Sequence, residues 1–341
     1  MKKILLLTPD YPPNRGGVAN YLWNIYSRLP RESVVVLSEK LSGKIWPRWL
    51  PAYFEAVKTI RAEKIESVHI SHILPMGYVV WMIKKVFGIP YVVYLHGMDI
   101  LLAQKSWWKK MWAKKILLEA DLVIANSEFT RKEAQKIVDR KIEIVYPCPN
   151  ISASPEITHD KTNIILSVGR LVARKGFDKV IEAMPKVLRE IPEAKYFIVG
   201  GGPDAERLKS LTKNLQLDDK VIFYDNVVDG QLPDLYRQCD IFVMPCRQIG
   251  ADVEGFGIVY LEAALFGKPS VAGRSGGVPE AVLDGKTGIV VNPDNVDEIA
   301  AAIIKLLKDD NFRRQLGEAA KNRVQNEFTW EKQIEKIINK L

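Results

Sequence analysis

Two glutamates in the second half of the chain, Glu254 and Glu262, enclose seven residues. Between them the sequence predicts a short buried helix from Ile258 to Phe266, which Gly267 and Pro269 terminate. At about 1.5 Å of rise per helical residue, the two carboxylates lie on the order of 10 Å apart along the axis. That separation matches a diphosphate with a sugar hydroxyl at each end.

The loop that precedes this helix predicts an anion site between the two carboxylates. Its backbone N–H groups and the positive end of the helix dipole attract phosphate. A carboxylate, a phosphate cradle and a second carboxylate suit a nucleotide-sugar, with Glu254 on the transferred sugar and Glu262 on the ribose. The alternative is a helix cap followed by a buried glutamate, which would need a polar partner. The residues expected to line the donor here are Gly255, Phe256, Gly257 and Ile258.

The spacing of Glu254 and Glu262, together with the Ser275-Gly-Gly-Val-Pro-Glu280 loop after a strand-like run, resembles the donor site of the retaining GT-B glycosyltransferases. The amino-acid sequence from Pro245 to Glu262 is particularly similar to that of the bacterial mannosyltransferases that act on phosphatidylinositol mannosides. The resemblance implies two Rossmann-like, doubly wound domains facing a cleft. It also implies GDP-mannose as the donor, retention of configuration at the transferred carbon, and no required metal or other cofactor.

Basic residues follow a predicted strand that ends at Gly169. Arg170 binds phosphate in a bidentate manner and Lys175 acts as a point charge, so that the pair neutralises a diphosphate. Arg174 is the alternative cation, and simple solvation of all three is the alternative interpretation. The resemblance assigns the diphosphate to Arg170 and Lys175, beside Gly169.

The first half of the chain contributes three further candidates. Gly16 and Gly17 begin a predicted helix and permit close approach of a phosphate or sugar, although a tight turn explains them equally. His96 follows a predicted strand, in a position where a histidine is often purely structural. The resemblance places the two glycines at the donor phosphates and the acceptor, and His96 at the transferred sugar.

Alternation of strand-like and helical patterns predicts an α/β fold with doubly wound parallel sheets. A proline-rich linker at residues 146–155 divides the chain. We therefore expect an acceptor-binding domain at residues 1–152 and a donor-binding domain at residues 153–324. By resemblance, a C-terminal helix at about residues 325–341 packs back on the first domain.

The length and composition of the chain limit the class of protein to which it belongs. The 341 residues suffice for about two domains, and the hydrophobic share of 47% is that of a globular protein. Three widely spaced cysteines and the lack of an Asp-x-Asp pair give no metal-ligand pattern. The apolar run near the N-terminus is too short for a signal peptide. No stretch of the sequence predicts a membrane-spanning helix. The expected location is cytoplasmic.

Positive charge and tryptophan are concentrated in the first half. Residues 1–150 hold 23 Lys and Arg against 13 Asp and Glu, whereas the remainder holds 26 against 28, and seven of the eight tryptophans lie in the first half. In the segment 105–115, apolar and basic side chains segregate to different faces of a helix, as in helices that bind an anionic membrane surface. The alternative is a surface helix that packs its tryptophans on the sheet. The apolar face comprises Trp107, Trp108, Met111 and Trp112, and the basic face comprises Lys105, Lys109, Lys110 and Lys114.

These observations predict a hexosyltransferase that moves mannose from GDP-mannose to a lipid-linked or glycan acceptor, in glycolipid or polysaccharide biosynthesis, as a peripheral protein of the inner membrane face. Alternatives are a transferase that uses a UDP-hexose or a UDP-N-acetylhexosamine, and a sugar-nucleotide epimerase. A nucleic-acid-binding module explains the pI of about 9.1 but not the near-neutral second half. Related proteins contact the nucleotide base at the segment matching 225–228. The expected catalytic residues are His96, Arg170, Lys175 and Glu254.

Overall fold

The protein folds into two compact units. The structure, a computed structural model, describes residues 2–14, 16–38, 41, 46–151, 161–225, 227 and 230–341. The first unit combines Met1–Cys148 with Trp330–Leu341, and the second unit comprises Pro149–Thr329. The boundary predicted at 152/153 lies outside the described residues, and so does part of the predicted base-contacting segment 225–228.

The first unit is built on a six-stranded parallel sheet with the order β2-β1-β3-β4-β5-β6. Two of its central strands, Ile4–Leu7 and Tyr91–Leu95, are short apolar runs with every side chain buried, as expected where helices cover both faces. The strands are β1 (Ile4–Leu7), β2 (Val34–Leu37), β3 (Ser67–Ser71), β4 (Tyr91–Leu95), β5 (Leu122–Ala125) and β6 (Glu143–Ile144).

Helices connect these strands in the manner of a doubly wound fold. Gly88, with a φ of +70°, ends the third helix in the left-handed conformation that glycine adopts without strain. The helices are α1 (Gly17–Tyr26), α2 (Leu50–Glu63), α3 (Met76–Phe87), α4 (Met98–Gln104), α5 (Trp107–Glu119) and α6 (Glu128–Gln135).

The second unit repeats the architecture with the strand order β12-β11-β10-β7-β8-β9, again parallel throughout. The predicted α/β fold with two doubly wound parallel sheets is therefore confirmed. The strands are β7 (Ile164–Val168), β8 (Lys195–Val199), β9 (Val221–Tyr224), β10 (Ile241–Met244), β11 (Ser270–Gly273) and β12 (Gly288–Val291).

The core of the second unit lies between its sheet and helices that pack on both faces. The prediction of a short helix after the glycine loop is confirmed within one residue, since that helix, α10, ends at Leu265. The helices are α7 (Phe177–Glu190), α8 (Ala205–Asn214), α9 (Leu232–Gln238), α10 (Ile258–Leu265), α11 (Val278–Ala281), α12 (Val296–Lys308) and α13 (Asp310–Glu327).

The C-terminal stretch is divided between the units. Helix α13 continues to Glu327, and the last helix, α14 (Trp330–Ile338), belongs to the first unit. The structure thus differs from the helix expected at 325–341, because the backbone leaves the helical conformation at Phe328. Within the first unit, the indole of Trp330 packs 5.9 Å from the ring of Tyr21, measured between centroids.

Within the described ranges, no helix is both long and apolar enough to cross a lipid bilayer.

Gly176 fixes the turn that leads from β7 into α7, and we predict that Gly176→Ala destabilises the protein. The residue has a φ of +77°, and a Cβ there would collide with the backbone of Pro245. We expect the free energy of unfolding to fall by about 2 kcal/mol, measured by urea unfolding. Gly201→Ala is the matched control, because a Cβ at Gly201 meets no atom within 4 Å. Equal stability of the two variants would contradict this account of the turn.

Candidate active site

In each sheet, the strand order reverses at one point, where ligands of doubly wound folds bind beyond the carboxyl ends of the strands. In the second sheet the reversal lies between β7 and β10, which are neighbours. The loop 169–176 follows β7, and the loop 245–257 follows β10. The topology therefore brings the basic loop and the glutamate loop of the sequence to one place.

An ion cluster around Glu254 occupies this place. The Nζ of Lys175 lies 2.5 Å from Oε2 of Glu254, and the Nη1 of Arg174 lies 2.6 Å from the same oxygen. The Nε of Arg174 also contacts Oδ1 of Asp252 at 2.8 Å. Side chains of Lys175 and Glu254 are only 10% and 13% exposed, so the cluster is largely shielded from water.

The cluster keeps Glu254 ionised. Burial by itself raises the pKa of this carboxyl, but the charges of Lys175 and Arg174 and their hydrogen bonds outweigh burial and lower the pKa to about 2. At neutral pH, Glu254 is therefore a hydrogen-bond acceptor with a fixed negative charge. It is poorly suited to donate a proton.

Backbone contacts hold the three loops of the site together. The N–H of Arg247 donates to the carbonyl of Arg174 at 2.8 Å, which joins the two loops. The N–H of Gly277 donates to the carbonyl of Glu254 at 3.0 Å, which brings in the loop that precedes α11. The Nη2 of Arg247 pairs with Oδ2 of Asp178 at 2.7 Å, so that the start of α7 is anchored as well. The geometry at Glu254 thus depends on the second unit's own packing.

Helix α10 places Glu262 one turn beyond the glutamate loop. Gly257 forms its N-cap with a φ of +95°. The carboxylate of Glu262, which is half-buried, accepts a hydrogen bond from the hydroxyl of Tyr236 at 2.9 Å, and burial raises the pKa of Glu262. Tyr236 is the polar partner that a glutamate among apolar neighbours requires.

The predicted donor residues of the second unit differ in exposure. Lys175 lies beside Gly169, where a Cβ would be 3.8 Å from its Nζ, whereas the Arg170 side chain is exposed. Phe256 is 2% exposed and its ring lies 5.7 Å from that of Phe328, so its side chain belongs to the core. The structure therefore brings together Gly169, Lys175 and Glu254, with Gly255, Gly257 and Ile258 in the adjoining turn.

In the first sheet, the reversal lies between β1 and β3, and a polar cluster stands at their carboxyl ends. The hydroxyls of Thr8 and Ser71 are 2.5 Å apart. The Nδ1 of His72 lies 3.5 Å from Oδ2 of Asp10 and 3.2 Å from the Ser71 hydroxyl. The sequence analysis missed this cluster, although polar residues directly after two predicted strands were a signal for it.

His96 adjoins this cluster at the end of β4. Its ring lies 5.4 Å from that of His72 and 5.6 Å from that of Tyr21. Burial, with a smaller contribution from His72, holds the pKa of His96 well below its ordinary value, so the ring is neutral. Its Nε2 is inaccessible to solvent and has no hydrogen-bond partner among the described residues. A buried polar atom without a partner calls for an explanation, and a ligand hydroxyl would provide one.

Gly16 and Gly17 stand at the start of α1 in open space. Among the residues that the structure describes, no atom lies within 4 Å of a Cβ built at either position. The structure pairs Arg174, which the sequence offered as the alternative cation to Arg170, with Glu254 and Asp252. The adjacency of Arg174 to Lys175 was the available signal.

Among the residues that the structure describes, no group of three or more His, Cys, Asp or Glu side chains is placed to hold a metal ion.

Comparison with solved structures identifies the architecture as the GT-B fold of glycosyltransferases. HepE from Anabaena, solved in complex with UDP-glucose, matches with a TM-score of 0.81 at 22% identity and covers all of both chains. Sucrose-phosphate synthase from Thermosynechococcus elongatus matches with a TM-score of 0.80 at 22% identity, over 99% of this chain and 98% of that one.

Sequence comparison gives the family. Residues 151–323 match the model of the glycosyl transferases group 1, and residues 15–152 match that of glycosyltransferase family 4. The chain belongs to the group 1 glycosyl transferases.

Its relatives include mannosyltransferases. The GDP-mannose-dependent alpha-(1-6)-phosphatidylinositol monomannoside mannosyltransferase of Mycolicibacterium smegmatis is 31% identical over 96% of this chain and 95% of that protein. The GDP-mannose-dependent monoacylated alpha-(1-6)-phosphatidylinositol monomannoside mannosyltransferase of Corynebacterium glutamicum is 29% identical over 99% of this chain and 97% of that protein. The predicted resemblance is thus confirmed at the level of homology.

The Glu254 cluster predicts a pH-dependent stability. Its carboxyl has a pKa of about 2 in the folded protein against an ordinary value of 4.5, so its ionisation stabilises the fold above pH 4.5, and this stabilisation is lost as the pH falls towards 2. The shift corresponds to about 3 kcal/mol. We expect the stability difference between the wild type and Glu254→Gln to be constant near neutral pH and to shrink by about this amount across that window.

Urea unfolding at a series of pH values measures this difference. Glu206→Gln is the control, because the Glu206 side chain is 89% exposed. A difference between the wild type and Glu254→Gln that stays constant down to pH 2 would show that Glu254 is not held ionised by its neighbours.

Proposed function

We propose that the protein is a retaining mannosyltransferase that moves mannose from GDP-mannose to a hydroxyl of a lipid-linked or glycan acceptor. The observation that carries this proposal is the ionised Glu254, held beside Lys175 at the start of α10. The names of the mycobacterial and corynebacterial relatives support mannose and GDP-mannose in particular.

Stabilisation of the departing diphosphate is the larger electrostatic problem of the reaction. Arg170 is exposed and able to grip a phosphate through two N–H groups, while Lys175 adds a point charge. The N-terminus of α10, at Gly257, adds the positive end of the helix dipole. Together these groups neutralise the leaving group without a metal ion.

Lys175 has two roles in this scheme. Before the donor binds, its ammonium group neutralises Glu254. When the diphosphate binds, Lys175 shares its charge with the phosphate, and Glu254 remains paired with Arg174. The second oxygen of the carboxylate then accepts a hydrogen bond from a hydroxyl of the transferred sugar. Arg174 is therefore a positioning residue, and Glu254 keeps its charge throughout.

Other predicted residues complete the donor contacts. Glu262, oriented by Tyr236, accepts hydrogen bonds from the ribose hydroxyls. His96 is neutral, and its unpartnered Nε2 binds a sugar hydroxyl. Gly16 and Gly17 leave space for the phosphates and the acceptor. In the proposed front-face reaction, the departing phosphate takes the proton of the acceptor hydroxyl, so that no side chain acts as a nucleophile.

A UDP-sugar is the second candidate donor. HepE, which shares the fold, was solved in complex with UDP-glucose. The same cations serve any nucleoside diphosphate, so the diphosphate site does not discriminate between the two bases.

Arg170→Ala tests the diphosphate site. We expect GDP-mannose at 100 times its dissociation constant to stabilise the wild type by about 2.7 kcal/mol in a thermal-shift measurement. Loss of one donor to the leaving group lowers kcat/KM for mannosyl transfer by about 100-fold. Arg189→Ala, a change at an exposed position near the end of α7, is the matched control and retains wild-type activity.

Three results would redirect the proposal. If UDP-sugars stabilise the protein and GDP-mannose and GDP do not, the donor is not GDP-mannose, but the protein is still a glycosyltransferase. Loss of activity in EDTA that returns with a divalent cation contradicts the metal-free mechanism. A product with inverted configuration at the transferred carbon, determined by NMR, contradicts retention.

We also propose that α5 binds the anionic inner face of the cell membrane. Its core-facing side chains are Ala113, Ile116 and Leu117, whereas Trp107 and Trp108 are 76% and 50% exposed. These two tryptophans therefore do not pack on the sheet. Exposed indoles next to lysines are the composition of a helix that lies at a membrane interface.

Substitution of two lysines tests the membrane proposal. Each lysine near an anionic surface contributes about 1 kcal/mol, so Lys105→Gln with Lys109→Gln weakens binding to phosphatidylglycerol vesicles about 30-fold at low salt. The pair Lys195→Gln and Lys213→Gln, exposed in the second unit, is the control and leaves binding unchanged. If such vesicles do not retain the wild type at low salt, the proposal is wrong.

A further inference from the structure

An aromatic groove opens on the first unit between the first halves of α3 and α5 and residues 46–49, which precede α2. Its volume is about 680 Å³, within the range of about 300–1,000 Å³ that holds small-molecule ligands. The aromatic residues that line it are Trp46, Trp49, Tyr78, Trp81, Trp108 and Trp112.

The walls of the aromatic groove are held in place by ring contacts. The ring of Tyr78 stacks on Trp49 with 5.7 Å between centroids and meets the edge of Trp112 at 5.2 Å. Trp112 also meets Trp81 at 5.4 Å. Aromatic pairs in these arrangements are mutually stabilising. The groove is therefore a preformed feature of α3, α5 and the residues directly before α2.

The lining of the groove favours an apolar ligand. Met82 adds to the aromatic surface, and Arg48 is the charged residue among those that line it. Binding of a sugar in a closed site requires several hydrogen-bonding side chains to replace the water around its hydroxyls. The aromatic groove offers few such groups. A hydrocarbon chain needs none.

Positive charge marks the rim of the groove. The ammonium of Lys115 lies 4.3 Å from the ring centroid of Trp81 and 5.2 Å from that of Trp112. Arg48 is exposed. An apolar groove with cations at its rim is complementary to a molecule with an acyl chain and an anionic headgroup.

The position of the groove relates it to the reaction. In a parallel α/β sheet, helices that follow strands begin at the carboxyl edge. Helix α3 begins at Met76, four residues beyond His72 of the polar cluster. Tyr78, in the first turn of α3, lines the groove, which therefore lies towards the edge of the first sheet that carries His72 and His96.

We propose that the aromatic groove holds one acyl chain of the acceptor lipid, with the anionic headgroup at Arg48 and Lys115. This inference rests on the proposed transfer to a lipid-linked acceptor and specifies how the lipid is recognised. A chain in the groove leaves the bilayer and carries its headgroup to the catalytic edge of the first unit. Adsorption of α5 to the membrane surface does neither.

Binding of single-chain alkyl phosphates below their critical micelle concentration tests the proposal without a membrane. Each buried methylene contributes about 0.8 kcal/mol, so dodecyl phosphate binds about tenfold more tightly than decyl phosphate. A chain carrying bromine at its end quenches tryptophan fluorescence on contact. We expect both effects for the full-length protein, measured by calorimetry and fluorescence titration.

Trp108→Ala and Trp107→Ala form a matched pair on one helix. Both side chains are at least half exposed, and only Trp108 lines the aromatic groove. We expect Trp108→Ala to weaken the binding of dodecyl phosphate at least tenfold, Trp108→Phe to restore most of it, and Trp107→Ala to leave it within about twofold. Retention on anionic vesicles falls in both variants, because both indoles face the membrane.

Three outcomes would overturn the proposal: an affinity that does not depend on chain length, equal losses in the two alanine variants, or displacement of the chain by a mannose oligosaccharide. Mannosyl transfer to a short, water-soluble mannoside distinguishes failure of the acyl-chain proposal from failure of the proposed mannosyltransferase function. With that acceptor, Trp108→Ala retains the wild-type kcat/KM, and transfer from GDP-mannose continues even if no acyl chain binds.

Discussion

The negative charge of Glu254, enclosed by Lys175 and Arg174, is the interaction on which the second unit's site depends. A carboxylate so little exposed is costly unless it is paired and hydrogen-bonded. Here the pairing residues are contributed by the loop after β7, and the carboxylate by the loop after β10. The ion cluster thus links the two loops that flank the reversal of strand order. It also brings two positive charges to the point where the strand order reverses.

The first unit has a different arrangement at the carboxyl edge of its sheet. It surrounds a neutral imidazole, His96, with Tyr21 and His72, and leaves Nε2 without a partner among the described residues. Burial makes a charged imidazole unfavourable, so this edge presents a neutral polar atom, whereas the ion cluster of the second unit presents charge.

Much of this was predictable from sequence, because local signals agreed with the fold. Gly257, Gly267 and Pro269 bounded α10 to within one residue, and alternating strands and helices gave two parallel sheets. The choice between Arg170 and Arg174 was not predictable. Both follow the same strand, and only the close approach of Arg174 to Asp252 and Glu254 in three dimensions decides which one supports the glutamate. Pairing across about 80 residues has no local signature.

The orientation of α5 is the clearest case in which the sequence pattern did not determine which side chains face the core. A face with three tryptophans left packing on the sheet and binding at a membrane surface both open, and in the structure Ala113, Ile116 and Leu117 face the core. Those three residues satisfy the packing of the helix, so the core does not require the tryptophans. Lys115, which breaks the amphipathic pattern of the sequence, lies over Trp81 of α3 and Trp112 of α5. Trp107 and Trp108 therefore leave apolar surface exposed that the packing of the helix does not use.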